Sequence, residues 1–116
     1  MGRIAELQHT ISLVSKQVVL LEEQLEAATD KSDKARLDVA LIELRQQLKD
    51  HQFSLKAALD KKTRLERELA AKRTQLEENA SDFSLMPAQR TALALLFQRE
   101  IADKEAALAV LTGEAA

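Results

Sequence analysis

The chain has 116 residues, 31% charged and 46% hydrophobic, and its 17 basic and 19 acidic residues give a net charge of −2. Two glycines, one proline, three aromatic residues and no cysteine leave little material for turns or an aromatic core, which argues against a β-rich fold. The missing cysteine also excludes disulfides and thiolate zinc sites. We therefore expect one all-α domain over residues 1–116.

The first predicted helix covers about residues 3–29. Its apolar residues recur in alternating steps of three and four, the pattern of a coiled-coil seam: Ile4, Leu7, Ile11, Val14, Val18, Leu21, Leu25 and Ala28. We expect the residues before it, including Gly2, to fray. Since Glu6 stands where a secretion signal would need an apolar residue, we expect a cytoplasmic protein.

The second predicted helix covers about residues 33–79, with Ser32 or Asp33 as its N-cap. It contains no glycine or proline, and the seven-residue rhythm continues through Leu37, Leu41, Leu44, Leu48, Leu55, Leu65, Leu69 and Leu76 to Phe83. Four polar residues interrupt the seam, and we interpret them as residues that fix register: His51, Lys62, Lys72 and Asn79.

The third predicted helix covers about residues 86–112. The polar segment 79–82 separates it from the second helix, and Pro87 suits a first helical turn because its missing N–H is not needed there. Gly113 is a natural C-terminal stop.

A register can be predicted for each antiparallel pair. A first turn near Lys31 aligns five apolar layers, namely Leu25 with Leu37, Leu21 with Leu41, Val18 with Leu44, Val14 with Leu48 and Leu7 with Leu55. A second turn near Phe83 pairs Phe97 with Leu69 and Ile101 with Leu65, but it also places Lys104 near Lys62.

Each outer helix would then cover one half of the central helix, which predicts two antiparallel coiled-coil hairpins in an elongated rod. The alternative is a compact three-helix bundle. It requires the outer helices to overlap or the central helix to break, and His51–Phe53 is the only weak point.

Charge supports the second hairpin. Residues 56–75 carry seven basic and three acidic groups, whereas residues 76–116 carry three and seven, so the third helix should be attracted to this half of the second. Glu68 with Lys72 and Glu100 with Lys104 are predicted to form ion pairs one turn apart within each helix.

Apolar residues away from the seam predict a protein interface. A two-helix hairpin cannot cover them all, and a soluble monomer would risk aggregation. The residues are Leu13, Val19, Leu20, Val39, Ile42, Phe53, Leu95 and Leu96. We expect a homodimer or an amphipathic helix of another protein to cover them.

Catalytic, cofactor and metal sites are not expected. His9 and His51 lack the neighbouring ligands of a metal site, and glycines at positions 2 and 113 alone cannot form a phosphate loop. The basic stretch from Lys56 to Arg73 has interleaved acidic residues and no aromatic for base stacking, so we expect no nucleic-acid contact. No apolar run approaches the roughly 20 residues of a membrane span.

The sequence thus predicts a non-enzymatic structural, adaptor or assembly protein without a small-molecule substrate. In general architecture it resembles the small coiled-coil proteins that accompany secretion machines and phage particles. The alternative function is a small chaperone or inhibitor whose uncovered apolar face binds an amphipathic helix of a client protein.

Overall fold

The computed structural model describes residues 2–113 and contains three helices and no strand in that range. They are α1 (Arg3–Ala27), α2 (Lys31–Ala80) and α3 (Pro87–Thr112). The predicted all-α fold with a long central helix is confirmed, and the observed ends differ from the predicted ranges by at most two residues.

Helix α2 is continuous over 50 residues, or about 75 Å at 1.5 Å per residue. It passes through His51–Phe53 without a break. A break at this point was one of the two ways in which the chain could form a compact three-helix bundle. Contacts group the described residues into two units, one formed by 4–58 and the other by 2–3 with 59–113. Each unit contains a hairpin, and the single domain over 1–116 stays a prediction.

The hairpin of residues 4–58 packs α1 against the first part of α2. Val14, Val18 and Leu41 form its buried core, and the half-buried residues packed around them are Leu21, Leu25, Leu44 and Leu48. Both members of three of the five predicted layers therefore lie in this one cluster. Leu41 is the most buried of these residues, with 2% of its surface exposed.

The N-cap of α2 is Asp30, and the prediction of Ser32 or Asp33 was wrong. The Asp30 carboxylate accepts a hydrogen bond from the backbone N–H of Ser32 at 3.1 Å, and its carbonyl accepts one from the N–H of Lys34 at 3.0 Å. Ser32 and Asp33 are already helical because a carboxylate one residue before the helix can satisfy a free N–H of the first turn.

The hairpin that includes residues 59–113 packs α3 against the second part of α2. Its most buried residues are Leu65, Leu69, Asn79 and Leu111, each 5–7% exposed. Phe83 was predicted to continue the seam but is 80% exposed, because α2 ends at Ala80 and the chain turns before reaching it. Its ring instead lies 4.9 Å from the guanidinium of Arg90.

The second turn is closed by local hydrogen bonds. Asp82 accepts hydrogen bonds from the backbone N–H and the hydroxyl of Ser84, and these lower the pKa of Asp82 below its ordinary value. Helix α3 begins at Pro87, as the sequence predicts, and the side chain of Gln89 accepts a hydrogen bond from the N–H of Met86 at 3.0 Å.

Gly2 is buried and does not fray, contrary to the sequence prediction. It lies against the backbone at the end of α3, where a Cβ on Gly2 would come within 2.7 Å of the Leu111 carbonyl oxygen and closer still to Thr112 and Gly113. Gly113 ends α3 in the left-handed conformation with φ 77°, and its N–H donates to the Ala109 carbonyl. Only a residue without a side chain fits this approach at position 2.

Candidate protein-interaction surfaces

All eight residues predicted to form an interface are exposed, from 48% for Leu13 to 76% for Phe53. Six of them lie in the hairpin of residues 4–58, and Leu95 and Leu96 lie on α3. Four further large apolar side chains are exposed that the prediction missed: Leu59, Phe83, Met86 and Val110. Val110 could have been found from its spacing, since it lies fourteen residues after Leu96 and so on the same helical face. That these residues form an interface stays a prediction.

The two edges of the first hairpin differ in charge. On one edge Glu22 pairs with Arg45 at 3.4 Å. On the other edge the residues that flank the seam are uncharged: Thr10, Gln17, Gln24, Ala40, Gln47 and Ser54. Leu13 and Leu20 follow two of these residues by three positions and therefore lie beside the uncharged edge.

The second hairpin contains two reciprocal ion pairs in its seam. Lys72 Nζ lies 2.6 Å from a Glu100 carboxylate oxygen, and Lys104 Nζ lies 2.8 Å from a Glu68 carboxylate oxygen. The same four residues were predicted to pair within each helix, and that prediction was wrong. The ammonium groups reach across the hairpin because both lysines occupy seam positions that face the opposite helix.

These contacts also correct the predicted register. Lys104 lies beside Glu68 and not near Lys62, and the Phe97 ring lies 5.5 Å from Lys72 Nζ, three residues beyond its predicted partner Leu69. The hairpin is thus about one helical turn away from the predicted pairing. Lys62 and Lys104 each have a carboxylate partner, Glu66 at 3.4 Å for Lys62 and Glu68 at 2.8 Å for Lys104.

The cross-helix contact perturbs one of these carboxyl groups. The hydrogen bond from Lys104 lowers the pKa of Glu68 below its ordinary value, and the positive charges of Lys104 and Arg64 act in the same direction. A third cross-helix pair, Arg73 with Glu105 at 3.1 Å, is more exposed. The ion pairs therefore fix how α3 is aligned on α2, as exposed pairs generally set geometry more than they add stability.

A groove of about 550 Å³ lies between the end of α2 and the start of α3. Its lining residues are Leu76, Glu77, Asn79, Ala80, Pro87, Arg90, Thr91, Ala94 and Gln98. The buried amide of Asn79 donates to the Arg90 carbonyl at 2.9 Å. Asn79 Oδ1 and Arg90 Nε are also buried, and within residues 2–113 neither has a hydrogen-bond partner. Both atoms are closed off from solvent by their neighbours, so they are not exposed in the groove.

Over the same residues, the structure contains no group of three or more histidine, aspartate or glutamate side chains that could hold a metal ion. None of the described helices is both long enough and apolar enough to cross a membrane. The features that remain for function are the exposed apolar faces, the groove and the charges that border them.

The fold and these surfaces define an all-α protein made of two antiparallel coiled-coil hairpins on one long central helix. Comparisons with protein-family models, with curated proteins and with solved structures found no match for this chain.

Proposed function

We propose that this chain is a non-enzymatic cytoplasmic structural or adaptor protein that acts through protein–protein contacts and associates as a homodimer. The observation that supports this proposal is the set of twelve large apolar side chains that are 41–80% exposed on the two hairpins. Large exposed apolar patches are typical of interaction sites, and we take these side chains to form such patches.

The exposed area is large enough to matter for association. Full burial of a large apolar side chain is worth about 1.5–3 kcal/mol, so a residue that is already half-buried gains roughly 1 kcal/mol on docking. If most of the twelve residues are covered, the gain is on the order of 10 kcal/mol. This is comparable with the estimated cost of association, about 4–15 kcal/mol, so apolar burial offsets that cost and the net affinity depends on the polar contacts that accompany it.

Light scattering coupled to gel filtration tests the homodimer directly. Leu95→Asp and Leu96→Asp change residues that are 63% and 49% exposed, so we expect both variants to keep their helicity and lose association. Leu69→Asp is the matched variant in the seam, where the residue is 5% exposed, and we expect it to unfold its own hairpin by burying an unpaired charge. Equal loss of helicity in all three variants, or a wild-type monomer, would contradict the proposal.

A second candidate function is the chaperone or inhibitor that binds a client helix, and the groove favours it. Its lining includes Leu76, Pro87 and Ala94, and apolar side chains of this kind suit the apolar face of an inserted client helix. A photo-crosslinking residue at Thr91, which lines the groove, should capture one defined client, whereas the same residue at the exposed Thr74 should not. The purified client should also raise the melting temperature by mass action. Equal capture from both positions would exclude the groove as the client site.

A further inference from the structure

Helix α3 carries a second apolar stripe on the face opposite its seam. The stripe advances in alternating steps of four and three, as a coiled-coil seam does, and consists of Ala88, Ala92, Leu95, Arg99, Ala102, Ala106 and Ala109. Leu96 and Val110 flank it and are 49% and 71% exposed. A helix that is apolar on both sides is usually covered on both sides.

The outward face of α2 in the same hairpin is different. It carries charged residues along its length, namely Asp60, Arg64, Arg67, Glu77 and Glu78. The outward face of α3 has only Arg99 and Asp103, which are opposite in sign and one helical turn apart. Of the two helices in this hairpin, α3 therefore presents the face that suits a docking helix.

The two charges indicate which partner fits. A second copy of α3 packed in parallel would place Arg99 against the same residue of its partner, and like charges would repel. An antiparallel copy would place each Arg99 beside an Asp103 of the other copy, so both pairs would be attractive. The face is thus complementary in charge to itself when the second copy runs in the opposite direction.

Side-chain size favours the same arrangement. With the two-fold axis between Glu100 and Ile101, antiparallel pairing places each Leu95 opposite an Ala106 of the other copy. Ala92 then lies opposite Ala109, and Arg99 opposite Ala102. In the layers that contain Leu95 or Arg99, the large side chain lies opposite an alanine, which allows the helices to pack closely.

We infer that two copies of this chain associate through the outward face of α3, antiparallel, with reciprocal Arg99–Asp103 ion pairs. This inference rests on the homodimer proposed above and specifies its interface. Arg99 lies on the face opposite the seam. Asp103 also borders a small groove with the seam residues Lys72 and Lys104, so the helicity of each variant must be checked alongside its association.

Charge reversal tests the ion pairs. Arg99→Asp and Asp103→Arg each place like charges together, and we expect each to weaken dimerisation at least tenfold by sedimentation equilibrium. The double variant Arg99→Asp/Asp103→Arg restores opposite charges and should recover most of the affinity. Arg67→Asp on the outward face of α2 is the control and should leave the dimer unchanged, and circular dichroism should show unchanged helicity in all four.

Cysteine cross-linking tests the direction, since the chain has no cysteine of its own. In the antiparallel arrangement, the two copies of residue 92 are about 25 Å apart along the axis, whereas residue 92 of one copy meets residue 109 of the other. Ala92→Cys and Ala109→Cys should therefore form few disulfide dimers alone and many when mixed. Strong cross-linking of either variant by itself indicates a parallel dimer and overturns the inference.

The outcomes separate this inference from the proposed function. If the wild-type protein is a dimer but neither charge reversal weakens it, and the mixed cysteine variants do not cross-link, the dimer uses another face and only the α3 inference fails. If the wild-type protein is a monomer at all accessible concentrations, the homodimer fails and this interface fails with it.

Discussion

Replacing Leu41 and Ile42 by alanine, one at a time, separates the stability of the first hairpin from its association. These neighbours on α2 differ sharply in burial, with Leu41 2% and Ile42 67% exposed. Leu41 packs in the cluster with Val14 and Val18, so Leu41→Ala removes buried carbons and leaves a cavity between the helices. Ile42→Ala removes a side chain that is mostly in water in the single chain.

The expected magnitudes follow from burial. At about 0.8 kcal/mol per buried carbon, Leu41→Ala should lower the free energy of unfolding by about 2–3 kcal/mol. The value is at the low end for such changes because the surrounding leucines are only half-buried and can close part of the cavity. Ile42→Ala should cost well under 1 kcal/mol, since only about a third of the side chain is covered.

The assay is urea unfolding followed by circular dichroism, at a protein concentration low enough to keep each variant monomeric. The same two variants are then compared for self-association by light scattering at high concentration. Similar losses of unfolding free energy in the two variants would refute the reasoning, because they would mean that Ile42 is as buried in the single chain as Leu41.

Three further predictions concern particular contacts. Asp30→Ala should lower the unfolding free energy by about 1 kcal/mol in urea titrations through loss of the N-cap, whereas Ser32→Ala should change it little. Because Lys104 lowers the folded-state pKa of Glu68, this pair stabilises the fold above the unfolded-state pKa, and the contribution is lost as pH falls through the folded-state pKa. Unfolding of Glu68→Gln at several pH values should therefore show a smaller loss of stability on acidification than the wild type. Gly2→Ala should lower the melting temperature, and an unchanged value would show that the chain start is not held against the end of α3.

Much of the fold could be predicted from the sequence because it depends on local chemistry. The three-and-four spacing of apolar residues determines that the chain forms coiled-coil helices, and Pro87 and Gly113 mark the ends of α3. The core of the first hairpin could also be predicted, since every residue of its buried cluster belongs to the predicted seam. Most of the exposed apolar residues could also be predicted from the sequence. A seam covers only two of every seven positions, so apolar residues at the other positions are left uncovered.

The tertiary structure decided what depends on contacts distant in sequence. The seam of the second hairpin contains Lys72 and Lys104, and its alignment is governed by where their ammonium groups find Glu100 and Glu68. Apolar periodicity carries no information about such pairing, so the sequence-based register was displaced by about one turn. The burial of Gly2 against the end of α3 and the unpartnered atoms at Asn79 and Arg90 likewise exist only once separate segments meet. Spacing along one helix determines which face is apolar, whereas the partner of each polar group is determined by the three-dimensional packing that brings another helix beside it.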